Sequence, residues 1–416
     1  MITRIVSKNF DIPNSHKLDV ALANGRYSSI DKLFSMAPDD VTAEVTKSGL
    51  RGKGGGGAAC GPKWELMPKN DPRPAYLIVN GDESEPGTFK DRQIFQYDPH
   101  LLIEGIICTC YAINAHHAYI YIRGEYKFFI DRLNEAIKEA YEASIIGDKI
   151  MNKYDFKVDI TIHRGGGAYI CGEKSALIES LEGKRGHPRL KPAGKECEWF
   201  FDNPATVNNV ETIASVPNIV ENGAGAYTKY GTAKSPGTML FAISGAVKTP
   251  GVYEMAYGNK MIDFLNILGG GMIEGKKLKA IIPGGSSCPI LTADEVQNAV
   301  LDYESMWDIG STLGTGGMIV IDEDTSMVDV AKNLIEFYHH ESCGQCTPCR
   351  EGTGWIDKIL EKILHGNGSQ EDLNTILDVC NTMNGKTICV FAPAVKDIIE
   401  SIVRKFPHEF KTHFKK

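Results

Sequence analysis

The sequence predicts an α/β domain built on a parallel sheet, followed by a small α+β module and a helical C-terminal region. Short apolar runs that end in polar or glycine-rich loops alternate with helical periodicity over the first half of the chain. A glycine-rich stretch with two strand patterns follows, and the pattern becomes helical from Ser326 onward. At 416 residues the chain is long enough for two or three domains, and we place them at residues 1–225, 235–322 and 326–416.

The first region shows the alternation most clearly. Apolar runs predict strands at 75–79, 118–122 and 156–162, and periodic segments predict helices at 40–47, 128–143 and 168–181. Polar loops at 80–87 and 164–174 follow two of these strands. Because ligands of parallel α/β sheets bind beyond the carboxyl ends of the strands, we expect these two loops to form a ligand site.

The rest of the chain divides into two parts. Strand patterns at 238–247 and 277–282 flank a short helix at 261–268, in a module that ends near Asp322. Four helices are predicted after it, at 327–338, 353–364, 370–383 and 392–406.

The composition excludes several classes of protein. With 45 Lys and Arg against 53 Asp and Glu, the net charge is −8, so attraction of the whole chain to nucleic acid or anionic lipid is not expected. The most apolar stretch, 101–122, is interrupted by Glu104 and by Asn114, and the first residues lack the apolar core of a signal peptide. We expect a protein that is neither secreted nor inserted in a membrane.

The spacing of the cysteines is the most specific signal. The chain has 11 cysteines, and in a chain without an export signal this odd number suits metal or redox chemistry better than disulfides. Cys343, Cys346 and Cys349 follow one another at every third position, which suits three corners of an iron–sulfur cubane with a distant cysteine at the fourth. Structural zinc usually takes two separated pairs, so we favour a [4Fe–4S] cluster. The pattern leaves Cys380 and Cys389 as alternatives for the fourth ligand.

Two glycine-rich loops resemble nucleotide motifs without matching them. The run 52–57 reads G-x-G-x-x-G, but a predicted helix precedes it where the dinucleotide fingerprint needs a strand. Its glycines, with Lys53 and Lys63 nearby, suit a phosphate or a flat ring, and the alternative is a flexible surface loop. In the second loop Glu173 separates the last glycine from Lys174, so a P-loop nucleotidase is disfavoured.

Polar groups in two further segments suit a flavin. The acidic loop 82–85 could be a Mg²⁺ site or a solvated turn, but with Asn80 it also offers acceptors for the N–H and O–H groups of a flavin. Asn208 and Asn209 offer amides for the same task, although an isolated Asn pair is usually turn chemistry.

Seven ordered motifs give the chain a family resemblance. They are GLRGKGGGG with GPKW (49–64), NGDESEPGTFKDR (80–92), GAYICGEKSALIESLEGKRGHPRLKP (167–192), TVNNVETIASVP (206–217), SGAVKTPGVYE (244–254), PGGSS (283–287) and ESCGQCTPCREG (341–352). From about residue 45 to 405 the chain resembles the flavoprotein, NADH-oxidising subunits of respiratory complex I and their relatives in NAD-linked hydrogenases and formate dehydrogenases.

The resemblance implies a Rossmann-like FMN domain, a ubiquitin-like β-grasp module and a helical bundle with one [4Fe–4S] cluster. It implies that Glu85 and Glu173 take part in the reaction and that Cys389 is the fourth cluster ligand. The expected cofactor contacts are Gly52, Lys53, Gly54, Gly55, Lys63, Asn80, Asp82, Glu83, Ser84, Tyr169, Gly172, Lys174, Lys191, Asn208, Asn209 and Thr212.

The resemblance also implies a mechanism and partners. A nicotinamide gives hydride to the flavin, which passes electrons singly to the cluster and then to partner subunits. The implied partners are a [2Fe–2S] thioredoxin-like subunit and a large iron–sulfur subunit. The implied location is cytoplasmic, as a peripheral part of a complex on the inner face of the cell membrane.

The dinucleotide side departs from the family pattern. Aromatic rings that stack on adenine in the family are replaced here by Ala58, Leu66 and Gly194. The segment Trp199–Phe201 could replace that platform or could simply be core. Lys174 stands where the family carries a glutamate near the ribose, which would favour NADPH because a lysine attracts a 2′-phosphate. A third hypothesis is a module that has lost dinucleotide binding and accepts electrons from ferredoxin or flavodoxin.

Overall fold

The large sheet has five strands, four of them parallel. The structure, a computed structural model, describes residues 2–191 and 193–415. In chain order the strands are β1 (Ala75–Gly81), β2 (Ala115–Ile122), β3 (Asp159–Arg164), β4 (Glu198–Phe200) and β5 (Asn203–Asn209). They lie in the order β3-β2-β1-β5-β4, and only β4 is antiparallel to its neighbour. The predicted parallel sheet is confirmed, but two of its strands, the parallel β5 and the antiparallel edge strand β4, were not among the predicted strands.

Helices cover this sheet. They are α1 (Leu18–Ala23), α2 (Ile30–Leu33), α3 (Pro38–Ser48), α4 (Cys60–Glu65), α5 (Asp91–Tyr97), α6 (Pro99–Ala112), α7 (Lys127–Glu142), α8 (Lys174–Leu181), α9 (Val210–Asn222) and α10 (Ala224–Tyr227). Alternate side chains of β1 enter different cores: Leu77 and Val79 pack with the N-terminal helices, and Ile78 packs toward the C-terminal helices. The sheet is therefore buried on both faces, as parallel sheets usually are.

Two predicted elements around β3 have different bounds. The strand expected at 156–162 begins only at Asp159 and continues to Arg164. The helix expected at 168–181 is a 3₁₀ turn, Tyr169–Gly172, followed by α8. Glu173 separates them because its backbone is extended and its carboxylate accepts hydrogen bonds from the first amides of α8. The break leaves Gly172 and Glu173 at the carboxyl edge of the sheet.

The second sheet is small and mixed. Its elements are β6 (Thr238–Gly245), β7 (Gly251–Ala256), α11 (Met261–Asp263) with a π turn at Phe264–Leu268, β8 (Leu278–Ile282), β9 (Leu291–Thr292), α12 (Ala293–Val296), α13 (Tyr303–Asp308) and β10 (Gly317–Asp322). The strand order is β7-β6-β10-β8-β9, and only β6 and β10 run parallel. We call residues 238–322 the small-sheet region; its interior is a separate apolar core.

The C-terminal part is helical, as predicted. It comprises α14 (Met327–Glu341), α15 (Thr347–Lys362) with a π turn at Ile363–Asn367, α16 (Gln370–Met383), α17 (Phe391–Lys405) and α18 (Pro407–Lys411). We call residues 327–411 the helical region. α15 starts earlier than the expected residue 353 because Pro348 occupies its first turn, where a missing N–H costs nothing.

In the described ranges, no helix combines the length and the apolar character needed to cross a membrane.

Candidate functional site

The carboxyl end of β1 meets the 3₁₀ turn that precedes α8. Asn80 Nδ2 donates to the carbonyl of Gly172 at 2.9 Å, and Asn80 Oδ1 accepts from the amide of Asp82 at 3.1 Å. A Cβ on Gly172 would lie 3.4 Å from Asp82 Oδ2, so the two loops are in contact. The two loops that the sequence placed at the sheet edge come together.

Asp82 is a buried carboxylate without a partner. Its side chain belongs to a residue only 9 % exposed, and neither carboxylate oxygen has a hydrogen-bond partner among the described residues. Burial raises the pKa of Asp82 to about 7, and the charge of Arg123 and the neighbouring hydroxyl of Ser84 oppose that rise. Ser84 Oγ is buried without a partner in the same way. Because unpaired buried polar groups are costly, both side chains suit a ligand with N–H and O–H donors.

Glu83 has a structural role instead. Its carboxylate accepts from the amide of Asp91 at 2.6 Å and from the hydroxyl of Tyr126 at 2.9 Å, and it pairs with Arg92 at 3.0 Å. These bonds hold the start of α5 against the loop. The Glu83 side chain therefore has protein partners, and its carbonyl accepts from Arg123 at 2.9 Å, so only its backbone amide remains for a cofactor.

The glycine loop 52–57 lies between α3 and α4. A helix precedes it, as the sequence predicted, so it does not have the strand–loop–helix form of the dinucleotide fingerprint. The amide of Gly52 donates to the carbonyl of Ala58 at 2.7 Å and closes the loop. In the described part of the chain, the amides of Gly54, Gly55 and Gly56 donate to no protein acceptor. Such free amides form an anion-binding concavity.

The small-sheet region supports this loop from one side. Tyr303 Oη donates to the carbonyl of Gly52 at 3.1 Å, and the guanidinium of Arg51 lies 4.5 Å from the centre of the Tyr303 ring. Arg51 also pairs with Glu304 at 2.8 Å. Gly57 packs directly against the Tyr303 ring: a Cβ on it would lie only 2.5 Å from that ring. Its φ of +60° is also one that residues other than glycine rarely adopt.

Gly57→Ala is therefore expected to destabilise the loop. A left-handed φ and a ring contact together predict a loss of about 2 kcal/mol or more in the free energy of unfolding. Urea unfolding of the flavin-free protein measures this loss. Gly56→Ala is the matched control, because nothing lies within 4 Å of a Cβ built on Gly56. Equal losses in the two variants would contradict the expectation.

Lys53 lies under the loop rather than facing a ligand. Its ammonium is fully buried and contacts Glu211 Oε1 at 3.2 Å and Ser215 Oγ at 2.8 Å. Its amide donates to Thr212 Oγ1 at 2.9 Å. A buried ammonium needs a carboxylate, and Glu211 supplies it. The expectation that the Lys53 side chain meets a phosphate is therefore not matched by the geometry, since both Lys53 and Thr212 are engaged inside the protein.

Lys63, on α4, is the cation that remains available. Its ammonium contacts the carbonyl of Val207 and forms no ion pair among residues 2–191 and 193–415. Burial lowers the pKa of Lys63, and the nearby charge of Lys174 lowers it further. An anionic ligand would relieve both effects.

Asn208 and Asn209 have protein partners for their side chains. Asn208 accepts from Trp64 Nε1 at 3.2 Å and donates to Cys60 Sγ at 3.4 Å. Asn209 caps α9 through its Oδ1 and donates to Asp91 Oδ2 at 2.7 Å. Each side-chain amide nitrogen donates one hydrogen bond within the described residues and has a second hydrogen, so the expected cofactor roles of both residues stay predictions.

The two glutamates expected to take part in the reaction differ in their surroundings. Glu85 accepts from Tyr169 Oη at 2.6 Å and from the amide of Ser287 at 2.7 Å, and burial raises its pKa. Glu173 uses one oxygen to cap α8, where it accepts from the amides of Ser175 and Ala176 at 2.9 Å. Its other oxygen accepts no hydrogen bond from a described residue.

Lys174 and Lys191 are more exposed to solvent than the two glutamates. Lys174, with 52 % of its side chain exposed, pairs with Glu198 Oε1 at 2.6 Å. Lys191 is exposed, and its ammonium contacts the carbonyl of Glu196. Neither side chain contacts Asp82, and the charge of Lys174 is offset by a carboxylate.

The segment Trp199–Phe201 offers one exposed ring. Phe200 is buried against Tyr76 and Tyr119. Trp199 has the cations of Arg73 and Lys195 over its ring, at 4.5 and 3.6 Å from the centre. Phe201, at the hairpin turn, is 59 % exposed. Phe201 alone of these three presents a largely exposed ring, and the platform role of the segment stays a prediction.

Four cysteines meet in one pocket of the helical region. Cys343, Cys346, Cys349 and Cys389 line it together with Ile170 and Phe391. Cys380 does not line the pocket: it lies on α16 and is fully buried in the core. Within the described ranges, no three His, Cys, Asp or Glu side chains are placed to hold a single metal ion, whereas a cubane takes one thiolate at each of its separate irons.

Hydrogen bonds reach two of the sulfur atoms. The amide of Ile388 donates to Cys346 Sγ at 3.4 Å, and Ser342 Oγ lies 3.4 Å from Cys349 Sγ. Cys346 is also the residue before the first turn of α15, where backbone dipoles favour negative charge. These features suit a thiolate ligand.

Comparison with known proteins gives matches for all three parts of the chain. Residues 45–218 match the Nuo51 FMN-binding domain, residues 239–321 match the SLBB domain, and residues 329–413 match the iron–sulfur binding region of NADH-ubiquinone oxidoreductase-F. One of two F subunits of NADH-quinone oxidoreductase in Rhizobium meliloti is 43 % identical over 99 % of this chain and 98 % of its own. The chain belongs to the family of NADH-quinone oxidoreductase F subunits.

Other members and a solved structure agree with this assignment. The F subunit of NADH-quinone oxidoreductase in Mycobacterium tuberculosis is 44 % identical over 99 % of this chain and 94 % of its own. The crystal structure of an air-oxidised NAD⁺-reducing [NiFe]-hydrogenase is similar over all of this chain and 67 % of its own, with 32 % identity and a TM-score of 0.85. The predicted resemblance to this family is confirmed.

Proposed function

We propose that this chain is the electron-input subunit of a complex I-type oxidoreductase. In that role NADH gives hydride to FMN, and electrons pass singly to a [4Fe–4S] cluster and then to partner iron–sulfur subunits. The observation that carries the proposal is the closeness of the two sites. The Tyr169 ring, which contacts Glu85, lies 5.8 Å from the Phe391 ring, and Phe391 lines the four-cysteine pocket.

The residues present fit FMN. When bound, FMN accepts a hydride and releases electrons one at a time. Asp82 and Ser84 offer unpaired buried acceptors for the polar edge or the ribityl chain. The free amides of Gly54, Gly55 and Gly56, with the ammonium of Lys63, suit a phosphate. The remaining contacts implied by the resemblance, Gly52, Asn80, Tyr169 and Gly172 among them, would act through backbone groups or by shaping the loops.

The donor set of the helical region fits the cluster. A [4Fe–4S] cluster supplies one-electron transfer when it is bound. We assign Cys343, Cys346, Cys349 and Cys389 as its ligands, because these four line one pocket. Phe391 and Ile170 give the pocket an apolar wall, and the Phe391 ring lies 5.8 Å from the ring of Tyr169.

NADH is the donor that the relatives support. Their names specify NADH, and they give no support for input from NADPH, ferredoxin or flavodoxin. The ion pair between Lys174 and Glu198 agrees with NADH, because it already offsets the charge that would attract a 2′-phosphate.

The modules and partners follow from the same family. We assign residues 1–225 to a Rossmann-like FMN domain, 235–322 to a ubiquitin-like β-grasp module and 326–416 to the cluster-binding bundle. The two sheets and the matched family regions support this division. The proposed partners are a [2Fe–2S] thioredoxin-like subunit and a large iron–sulfur subunit, in a complex on the inner face of the cell membrane. The relatives are named as subunits, which supports partners in general.

Anaerobic absorbance of the FMN- and cluster-loaded protein tests the function. We expect NADH to bleach the flavin band and NADPH to do so much more slowly. Glu85→Gln should slow bleaching by NADH while the flavin stays bound, because Glu85 lies beside the proposed flavin site. A flavin that only dithionite reduces would overturn NADH oxidation and leave a protein donor.

A further inference from the structure

Glu85 is the point at which all three parts of the chain meet. The residue itself follows β1 of the large sheet, Ser286 and Ser287 come from the small-sheet region, and Tyr338 lies on α14 of the helical region. Ser286 and Tyr338 are both fully buried. Ser286 lies in the PGGSS motif (283–287) but was given no role, and Tyr338 was not singled out, because no pattern connects such distant positions.

A chain of hydroxyl groups ends at this carboxylate. Tyr338 Oη and Ser286 Oγ are 2.7 Å apart, and Ser286 Oγ lies 3.3 Å from Glu85 Oε1. An ionised carboxylate only accepts hydrogen bonds, so Ser286 must donate to Glu85. Tyr338 must then donate to Ser286, since the single hydrogen of the serine is already used. The ionised state of Glu85 therefore fixes the direction of both hydroxyls.

No cation in the described ranges is in direct contact with the Glu85 carboxylate. The carboxylate forms no ion pair among the described residues. Tyr169, Tyr338 and Cys288 face it, and burial raises the pKa of each, so all three are neutral near neutral pH. Glu83, Arg92 and Arg123 line the same cavity as Glu85, where Arg92 pairs with Glu83 and Arg123 pairs with Glu125. The direct contacts that oppose the burial, which favours the protonated carboxyl, are the hydrogen bonds from Tyr169, Ser287 and Ser286.

We propose that Ser286 and Tyr338 are positioning residues that hold Glu85 ionised and fix the direction of its carboxylate. This inference rests on the proposed function, in which Glu85 lies at the hydride-receiving end of the site. The inference gives the small-sheet and helical regions a shared role. Each contributes one hydroxyl that helps to orient the Glu85 carboxylate, which lies in the large-sheet region.

The test is the pH titration of the Glu85 carboxyl in the flavin- and cluster-loaded complex. Infrared difference spectroscopy follows the protonated carboxyl band, and Glu85→Gln identifies that band by removing it. Tyr338→Phe should raise the midpoint by about half to one pH unit, because a donor to the ionised form is weakened. Ser286→Ala, which removes a direct donor and leaves those from Tyr169 and the amide of Ser287, should raise the midpoint further.

Tyr257→Phe is the matched control. Its hydroxyl is also buried but has no partner among residues 2–191 and 193–415, so its loss should leave the midpoint unchanged. Equal midpoints in the wild type, Tyr338→Phe and Ser286→Ala would overturn the inference. If Tyr338→Phe folds poorly, Ser286→Ala decides the matter alone. The titration needs no nicotinamide, so failure of NADH oxidation is seen separately in the bleaching experiment.

The same shift should be visible in the kinetics. The acidic limb of the pH profile for flavin reduction by NADH should move upward in Tyr338→Phe and remain in place in Tyr257→Phe. A general loss of packing would lower the rate at every pH and leave the limb where it is.

Discussion

Cys389→Ala is expected to abolish the iron–sulfur cluster. The thiol of Cys389 lines one pocket with Cys343, Cys346 and Cys349, and burial raises its pKa to about 11. A metal must therefore be present to hold it as a thiolate. With three thiolates left, a [4Fe–4S] cluster lacks a protein ligand at one iron. Iron content after anaerobic reconstitution, and the electron paramagnetic resonance signal of the reduced protein, should both fall at least several-fold.

Cys380→Ala is the matched control for this experiment. Both cysteines belong to the helical region and follow the triplet in the chain. Cys380 is fully buried on α16, away from the pocket. Its replacement removes one packed sulfur atom and should cost about 1–2 kcal/mol of stability. The iron content should stay unchanged. Loss of the cluster in Cys380→Ala, with retention in Cys389→Ala, would reverse the proposed ligand set.

The choice between Cys380 and Cys389 shows how far the spacing of the cysteines could predict the cluster ligands. The triplet was recognisable because its ligands are close in the chain, so local spacing fixes their geometry. The fourth ligand depends on how α16 and α17 pack, and spacing alone left two alternatives. The family resemblance selected Cys389, and the structure places it in the pocket.

The carboxyl edge of the large sheet was predictable for a similar reason. Loops 80–87 and 164–174 follow apolar runs, and parallel topology brings such loops to one edge. Two strands of this sheet were missed. β4 has only three residues, too few to show alternation, and β5 carries a proline and three asparagines, which are rare in strands.

The position of Lys53 could not be predicted. A lysine among glycines suggests a phosphate, but its partner Glu211 is distant in the chain and reaches it only through the fold. The hydrogen bond from Tyr303 to the glycine loop could not be predicted either, because the two residues are distant in the chain. Local motifs identify which segments form the site, while tertiary contacts decide which side chains remain free in it.

Asp82→Asn is expected to stabilise the flavin-free protein and to weaken FMN binding. The wild-type carboxylate is buried without a partner among the described residues, so replacing it with a neutral amide should raise the free energy of unfolding at neutral pH by about 1–3 kcal/mol. The same change removes a charged acceptor proposed for the flavin. The dissociation constant of FMN, measured by quenching of flavin fluorescence, should rise about tenfold to a hundredfold.

The pH dependence of stability supplies a second readout. The pKa of Asp82 is 3.8 in its ordinary state and about 7 in the folded protein. The folded state thus binds this proton more tightly, and Asp82 favours folding below about pH 4. That contribution is lost as the pH rises toward 7. Urea unfolding of the flavin-free protein should therefore show stability falling over this range, and Asp82→Asn should reduce the fall.

Glu83→Gln is the matched control, and its effect should have the opposite sign. The Glu83 carboxylate has several protein partners at the start of α5, so its neutral variant should destabilise the fold. Neighbouring acidic residues would then respond in opposite ways, because one is satisfied by the protein and the other awaits a ligand. If Asp82→Asn lowers stability as Glu83→Gln does, the carboxylate of Asp82 has a protein or water partner, and its assignment to the flavin fails.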